Sequence, residues 1–183
     1  TFFGNGIVAH IAFSDPFYPE ISSVLVGAAR KQATTHVAGT CVVIEGPQFS
    51  TRAESELYRS FGADIIGMTA LPEAKLAREA EMCYATLALV TDFDTWHQTE
   101  DDVSVDLVIA NLRRNVTRSR LVMHEVALGL PTERSCTCGQ ALESAIITDP
   151  EYIGNEARER LSAIIGNHAP KAGAAAEIPV GRR

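Results

Sequence analysis

Two carboxylates separated by one aromatic residue end the apolar run ATLALVTDFDTWH, residues 85–97. If this run is an extended strand, residues two apart point the same way, so Asp92 and Asp94 share one face and repel each other's charge. One of them can then hold a proton near neutral pH. A carboxylic acid that donates one hydrogen bond and accepts another suits a heterocycle with adjacent acceptor and amino groups. The structural alternative for either aspartate is a turn or a helix cap.

Two other predicted strand ends, at residues 46–50 and 67–69, carry residues that suit a ligand site. Thr69 precedes a helix with Pro72 at its predicted start, and the free backbone donors of a helix N-terminus form a natural phosphate site. A local helix cap is the alternative for Thr69. Phe49 lies in a Gly-Pro loop, where a flat ring can stack on a base, although a lone phenylalanine is more often a core residue.

Strand and helix signals alternate along the chain. Apolar or Val-rich and Thr-rich runs predict strands at residues 36–44, 64–69 and 82–91. Caps, prolines and helical spacing predict helices at residues 14–31, from 51 with a Thr51/Glu54 capping box, at 72–81, at 103–128, and near Ala141 and Asn155. This alternation is typical of an α/β fold with a mixed, largely parallel sheet flanked by helices, in which ligands bind where strands end.

The 183 residues suffice for one compact domain, which we expect over residues 1–165. Residues 166–183 lack a hydrophobic period and are expected to form a loose tail. A net charge of -7, with no basic run longer than Arg182-Arg183, excludes a nucleic-acid track. No stretch is apolar over a membrane-spanning length and no charged-then-apolar signal opens the chain, so we expect a soluble, cytoplasmic protein without membrane partners.

Four cysteines, at positions 41, 83, 136 and 138, occur in a chain long enough to bury a core without a disulfide framework. Cys136-Thr137-Cys138 has the spacing of half a metal site. A zinc ligand set needs a second Cys or His pair, and none has suitable spacing, so no metal site is predicted. Free thiols or a local disulfide remain as interpretations.

Three stretches together resemble one enzyme family: VVIEGPQFSTRAES, GADIIGMTALPEAKLAREAEMCYATLALVTDFDTW and VSVDLVIANL. Over about residues 1 to 130, the chain resembles the 5'-methylthioadenosine phosphorylase branch of the trimeric purine nucleoside phosphorylases. The resemblance implies the fold of that family and the phosphorolysis of 5'-methylthioadenosine to adenine and 5-methylthioribose 1-phosphate, a step of methionine and purine salvage. It also implies a homotrimer and inorganic phosphate as co-substrate, with no metal or organic cofactor.

The resemblance gives the two aspartates a role at the purine. It implies that Asp92 faces the purine N7 and 6-amino group and protonates the leaving base, while Asp94 supports the same interaction. Relatives that prefer 6-oxopurines usually carry Asn at the position of Asp92. Phe49 is expected to flank the base, and Thr91 and Phe93 are expected in the same substrate site.

The resemblance also assigns residues to the sugar, the phosphate and the 5' substituent. Met68 is expected under the ribose, and Thr69 is expected to contact phosphate and sugar. Val105, Val108 and Ile109, at helical spacing, match the apolar wall of the 5'-methylthio pocket. This wall favours a 5'-alkylthio nucleoside.

Further positions bear on substrate choice and assembly. Ser50 stands where 6-oxopurine enzymes place a Glu, which favours an adenine nucleoside. Gly67 instead matches the 6-oxopurine branch, so a phosphorylase for 6-oxopurine nucleosides or methylthioinosine is the alternative. His10 resembles a histidine that the family lends to the neighbouring subunit's site, which would make trimerisation part of the active site. Cys136 and Cys138 resemble a CxC disulfide of some heat-stable members.

The family's N-terminal portion is expected to be absent from this chain, which begins at Thr1 without an initiator Met. That portion carries the Gly-rich phosphate loop and an Arg-His phosphate pair, so Thr69 is the one phosphate contact expected here. The sequence is therefore interpreted either as part of a complete enzyme or as a truncated, non-catalytic chain that assembles only with full-length subunits.

Overall fold

The computed structural model describes residues 1–97, 105–166 and 168, which form two compact units. The central unit comprises Asp15–Ala74 and Tyr84–Ser135. The terminal unit comprises Thr1–Ser14, Lys75–Cys83 and the described residues from Cys136 onward. The single domain over residues 1–165 stays a prediction, and the tail predicted for residues 166–183 lies almost entirely outside the described residues.

The central unit contains two short parallel strands joined by a helix. β1 (Cys41–Val43) pairs with β2 (Ile65–Gly67), with Cys41 opposite Ile65 and Val43 opposite Gly67. Parallel neighbours need a crossover connection, and α2 (Arg52–Ser60) lies within it. The parallel pairing confirms the predicted α/β class. β1 is shorter than predicted. Just before it, the Thr40 N–H donates to the Asp64 carboxylate at 2.7 Å and not to the main-chain carbonyl of a neighbouring strand.

The start of α2 is confirmed as a capping box. The Thr51 hydroxyl accepts the Glu54 N–H at 3.3 Å, and the Glu54 carboxylate accepts the Thr51 N–H at 2.7 Å. These reciprocal bonds satisfy two backbone donors that have no partner inside the helix. Hydrogen bonds from the Thr51 backbone and then from its side chain lower the pKa of Glu54.

The core of the central unit lies between α1 (Pro19–Ala29) and α4 (Val105–Gly129). Its buried side chains are Leu25, Ala28, Ala29, Val122 and Val126. An ion pair of 2.6 Å between Lys31 Nζ and Glu125 Oε2 also joins the two segments. The long helix predicted for residues 103–128 is confirmed from Val105, and residues 103 and 104 lie outside the described part.

Two helices begin elsewhere than predicted. α1 begins at Pro19 and not near residue 14, because the Tyr18 N–H donates to the Tyr84 carbonyl at 2.7 Å and Tyr18 keeps an extended backbone. α3 (Ala70–Glu79) begins two residues before Pro72. Pro72 therefore lies inside the first turn, where a backbone N–H would have no helical acceptor.

The strand predicted for residues 82–91 is wrong, because no strand is present over this described segment. Two main-chain carbonyls there are bound by side chains of α4. Asn111 Nδ2 donates to the Thr91 carbonyl at 2.7 Å, and Asn115 Nδ2 donates to the Val90 carbonyl at 2.8 Å. The segment is thus held by amide side chains, which its own apolar composition did not indicate.

The terminal unit has a separate core, formed by Phe3, Ile7, Leu142, Ala145, Ile153, Ala157, Leu161 and Ile165. The helix predicted near Asn155 is confirmed as α5 (Asn155–Arg160), and α6 (Ser162–Ile165) follows it. Near Ala141, only a 3-10 helix at Thr137–Gln140 precedes a turn, and a second one spans Pro150–Tyr152. Over the described ranges, every helix is too short or too polar to cross a bilayer.

Candidate active site

A cavity of about 350 Å³ lies beside the end of β1 in the central unit. Its walls come from the end of the strand, the loop that follows it and α2, and they include Phe49, Ser50, Glu54 and Tyr58. Ligands in open α/β folds bind where parallel strands end, because the loops there diverge. The cavity therefore lies where the sequence predicted a ligand site.

Ser50 presents an unusual polar group in the wall of this cavity. Its side chain is 8% exposed, and its Oγ has no hydrogen-bond partner among the described residues. A buried hydroxyl without a partner costs about 1–3 kcal/mol, so a ligand that supplies one would recover part of that energy. The neighbouring Phe49 is 82% exposed and offers a flat apolar face beside the cavity.

The loop after β1 lies directly against the residue that follows β2. Gly46 has a φ of +73°, and a Cβ at this position would come within 2.7 Å of the Met68 sulfur. Met68 can therefore approach the loop because residue 46 lacks a side chain. Thr69 comes next and is exposed, and its carbonyl accepts the Glu73 N–H at 3.1 Å in the first turn of α3.

The segment that carries the two aspartates is attached to α2. Ser55, which is 1% exposed, donates its hydroxyl to Asp94 Oδ2 at 2.5 Å. One turn further along α2, the Arg59 guanidinium lies 3.7 Å from the centre of the Trp96 ring. Because Glu54 and Tyr58 line the cavity, α2 contributes both to the cavity wall and to the support of this segment.

The two aspartates have different surroundings. Asp92 is exposed and accepts a hydrogen bond from the hydroxyl of its neighbour Thr91, whereas Asp94 is half-buried and bound by Ser55. Phe93, between them, is exposed and stacks on the His97 ring, with the ring centres 4.3 Å apart. Asp94 is thus fixed to the scaffold, and Asp92 is open to a ligand.

The predicted 5' pocket residues are on α4, and His10 is in the terminal unit. Val108 is half-buried and lies one turn before Asn111, so both are on the side of α4 that approaches residue 91. Ile109 is 40% exposed. Val105 begins α4, but the prediction for its side chain lies outside the described part. The His10 side chain is exposed, and its backbone N–H donates to Ala145 at 2.8 Å.

Three supporting residues were not predicted from the sequence. Ser55 holds Asp94, Asn111 holds the backbone before Asp92, and Asn115 holds the residue before that. A signal was present, since Asn111 and Asn115 are four residues apart and so share one face of α4. Ser55 follows the capping residue of α2 by one turn. The sequence alone did not show what these side chains face.

The chain is similar to known proteins over most of its length. Residues 1–127 match the phosphorylase superfamily. The S-methyl-5'-thioadenosine phosphorylase of Geobacter sulfurreducens is 53% identical over 169 residues, which are 92% of this chain and 59% of that enzyme. The corresponding enzyme of Koribacter versatilis is 50% identical, over 95% of this chain and 61% of its own length. The chain thus spans about three fifths of these curated relatives.

Solved structures give the same result. A methylthioadenosine phosphorylase sourced from an antarctic soil metagenomic library is 48% identical with a TM-score of 0.82, over 89% of this chain and 58% of that one. An adenosine/methylthioadenosine phosphorylase variant from Schistosoma mansoni, in complex with methylthioadenosine, is 35% identical with a TM-score of 0.60, over 70% and 49% of the two chains. The purine nucleoside phosphorylase-like fold is confirmed, and the chain belongs to the phosphorylase superfamily.

Proposed function

We propose that the full-length protein containing this chain is an S-methyl-5'-thioadenosine phosphorylase. It uses inorganic phosphate to cleave the N-glycosidic bond of 5'-methylthioadenosine and releases adenine and 5-methylthioribose 1-phosphate. The observation that carries the proposal is Asp94, fixed by Ser55 on the helix that lines the cavity and two residues from an exposed Asp92. The similarity to curated enzymes that carry out this reaction supports it.

The aspartates suit a reaction in which negative charge develops on the departing purine. Negative charge builds on the base as the glycosidic bond lengthens, and a proton donor placed at N7 neutralises it in the transition state. Asp92 is exposed and takes the role of donor, while Asp94 supports the same contact from a fixed position. The exposed rings of Phe49 and Phe93 offer faces for stacking on the base.

Residues that follow β2 and residues on α4 contact the sugar and its substituents in this proposal. Met68, held against Gly46, takes the position under the ribose, and Val108 with Ile109 forms the apolar wall for the methylthio group. Thr69, just before α3, contacts phosphate, whose charge favours the positive end of a helix dipole. Phosphate is a co-substrate, and the reaction uses no organic cofactor.

Several charge-assisted donors are needed to bind a phosphate dianion. Thr69 and the start of α3 supply part of this set, so the tests of activity use the full-length protein. The intact mass of the natural protein distinguishes a complete enzyme from a truncated chain that only assembles with full-length subunits. A natural protein no longer than residues 1–183 that releases no adenine would support the non-catalytic alternative.

The assembly we propose is a cytoplasmic homotrimer in which His10 reaches the site of the neighbouring subunit. The exposed side chain of His10 is compatible with this role. Light scattering during size-exclusion chromatography tests the trimer. His10→Ala tests the contact, because it should raise KM for methylthioadenosine without changing the elution volume.

The Asp92→Asn variant tests the proposed reaction. Free adenine is measured by a coupled assay, and we expect turnover to fall about a hundredfold to ten-thousandfold, since asparagine cannot protonate the base. Glu56→Gln, an exposed position on α2, is the control and should retain turnover. Unchanged turnover in Asp92→Asn would remove Asp92 from the reaction.

Gly67, which matches the 6-oxopurine branch, favours methylthioinosine or another 6-oxopurine nucleoside as a second candidate substrate. The same protein is therefore assayed with methylthioadenosine, methylthioinosine and inosine. Asn at position 92 favours 6-oxopurines in related enzymes, so Asp92→Asn should also shift the ratio of kcat/KM values toward methylthioinosine. A wild-type enzyme that prefers methylthioinosine would replace the first proposal by the second.

A further inference from the structure

Three of the four cysteines converge in the terminal unit. Cys83 follows α3, and Cys136 and Cys138 lie at the start of the 3-10 helix Thr137–Gln140. The sulfur atoms of Cys83 and Cys136 are 3.3 Å apart, and all three sulfur atoms lie within 4.8 Å of one another. Cys138 is buried and the other two are half-buried. Cys83 is a single cysteine 53 residues before Cys136, so it does not form the second pair that a zinc motif in the sequence would show.

These distances match metal coordination better than a disulfide. Sulfur atoms bound to a tetrahedral zinc ion at about 2.3 Å lie about 3.8 Å from each other, and the observed range brackets this value. A disulfide needs about 2.0 Å between two sulfur atoms, and none of the four cysteines forms one. A disulfide would also join two of the sulfur atoms and leave the third without a function. From this geometry, we propose that Cys83, Cys136 and Cys138 bind one thiophilic d10 metal ion of the zinc class.

The ligand set fits the chemistry of such an ion. Thiolates select soft or borderline cations such as Zn²⁺ over Mg²⁺ or Ca²⁺. Three protein ligands leave a fourth position of the tetrahedron for water. Three thiols lose three protons when they bind a divalent ion, and the complex then carries one excess negative charge.

The site would connect segments that are distant in the sequence. It joins the end of α3 to the start of the segment that contributes Leu142 and Ala145 to the terminal core. A metal that binds the folded chain much more tightly than the unfolded chain adds its binding free energy to the free energy of folding. The ion therefore serves as a structural cross-link of the terminal unit.

Metal content of the full-length protein tests the proposal directly. The protein is purified under a reductant without oxygen, incubated with Zn²⁺ and desalted, and its zinc is counted by mass spectrometry. We expect about one Zn²⁺ per chain in the wild type and less than about a tenth of that in Cys83→Ser and Cys138→Ser. Cys41→Ser is the matched control, because Cys41 lies in β1 outside the cluster, and it should retain the zinc.

A second measurement uses the wild-type protein, so it does not require that a cysteine variant folds. Zn²⁺ added to the reduced protein in weak buffer should release about three protons per ion bound, and it should protect three cysteines from alkylation. The proposal is overturned if the reduced wild type binds no zinc or if Cys83→Ser retains it. It is also overturned if the natural protein carries a disulfide among these three residues, which its intact and peptide masses would show.

Discussion

Replacing Ser55 with alanine tests whether α2 holds Asp94 in its working position. The Ser55 side chain is 1% exposed, and its hydroxyl donates to Asp94 Oδ2 at 2.5 Å. In Ser55→Ala the carboxylate loses this donor, and water has little access to replace it from the side of α2. The segment that carries Asp92 also loses one attachment to the helix. We therefore expect lower stability and slower turnover together.

The size of the effect follows from the kind of bond that is lost. A hydrogen bond to a charged group contributes about 1.5–3 kcal/mol. Because Asp94 is half-buried, water can solvate part of its carboxylate, and we expect a loss near the lower end of this range. If that loss appears fully in the transition state, kcat/KM falls about tenfold to thirtyfold, since 1.36 kcal/mol corresponds to a factor of ten.

Urea unfolding and the kinetics of adenine release measure the two effects in the full-length protein. Ser60→Ala is the matched control, because it removes a hydroxyl from the same helix, where Ser60 Oγ donates to the Leu57 carbonyl at 2.7 Å. A double variant with Asp94→Asn should show that Ser55→Ala costs less once the charge is gone. If Ser55→Ala behaves like Ser60→Ala, or if the two substitutions are additive, the bond does not position Asp94.

Three further outcomes are expected in the same protein. Thr51→Ala should lower the free energy of unfolding by about 1 kcal/mol, because α2 loses its cap. The lowered pKa of Glu54 means that its contribution to stability is present above pH 4.5 and is lost as the pH falls through the lowered pKa. The Thr51 backbone N–H, the largest cause of this shift, survives in Thr51→Ala, so the difference between wild type and variant should narrow in acid without vanishing. Val108→Gln should raise KM for methylthioadenosine more than for adenosine, because an amide would meet the thioether, and equal losses would exclude Val108 from the pocket. Burial raises the pKa of Tyr84 above 10.0. The contribution of Tyr84 to the free energy of unfolding is therefore present below pH 10 and is lost as the pH rises through the raised pKa. Tyr84→Phe should remove this pH dependence.

Elements whose ends depend on neighbouring residues were predictable from the sequence. The start of α2 is set by Thr51 and Glu54, three residues apart, and the capping signal identified both. The period of α4 likewise indicated a long helix, and the structure has one from Val105 to Gly129. In both cases the information lies within a few turns of the chain, where helical hydrogen bonds form.

Elements that depend on distant partners were predicted less well. The start of α1 is determined by the Tyr84 carbonyl, which accepts the Tyr18 N–H far away in the sequence. Residues 82–91 have the composition of a strand, but Asn111 and Asn115 bind carbonyls that a strand would pair with its neighbour. The hydrophobic periodicity of a segment indicates which side chains are buried, whereas a strand also needs a neighbouring main chain for its hydrogen bonds.

The residues of the candidate site also differ in whether the sequence predicted them. The residues expected to touch the substrate came from a resemblance in three sequence stretches, and their roles stay predictions. The residues that hold them in place, such as Ser55, became visible only in the structure, because a buried serine in a helix has no distinctive pattern. The three-cysteine cluster was hidden for a related reason, since Cys83 is remote in sequence from Cys136 and Cys138.

The position of α2 links the stability of one helix to the proposed chemistry. Its cap at Thr51 fixes the first turn, Glu54 and Tyr58 line the cavity, and Ser55 holds Asp94. If the first turn frays, the cavity wall and the support of Asp94 are disturbed together, although neither Thr51 nor Ser55 is expected to touch the purine. Substitutions at the cap should therefore slow turnover in proportion to the fraying they cause. The capping box is in this sense part of what positions the acid as well as part of the fold.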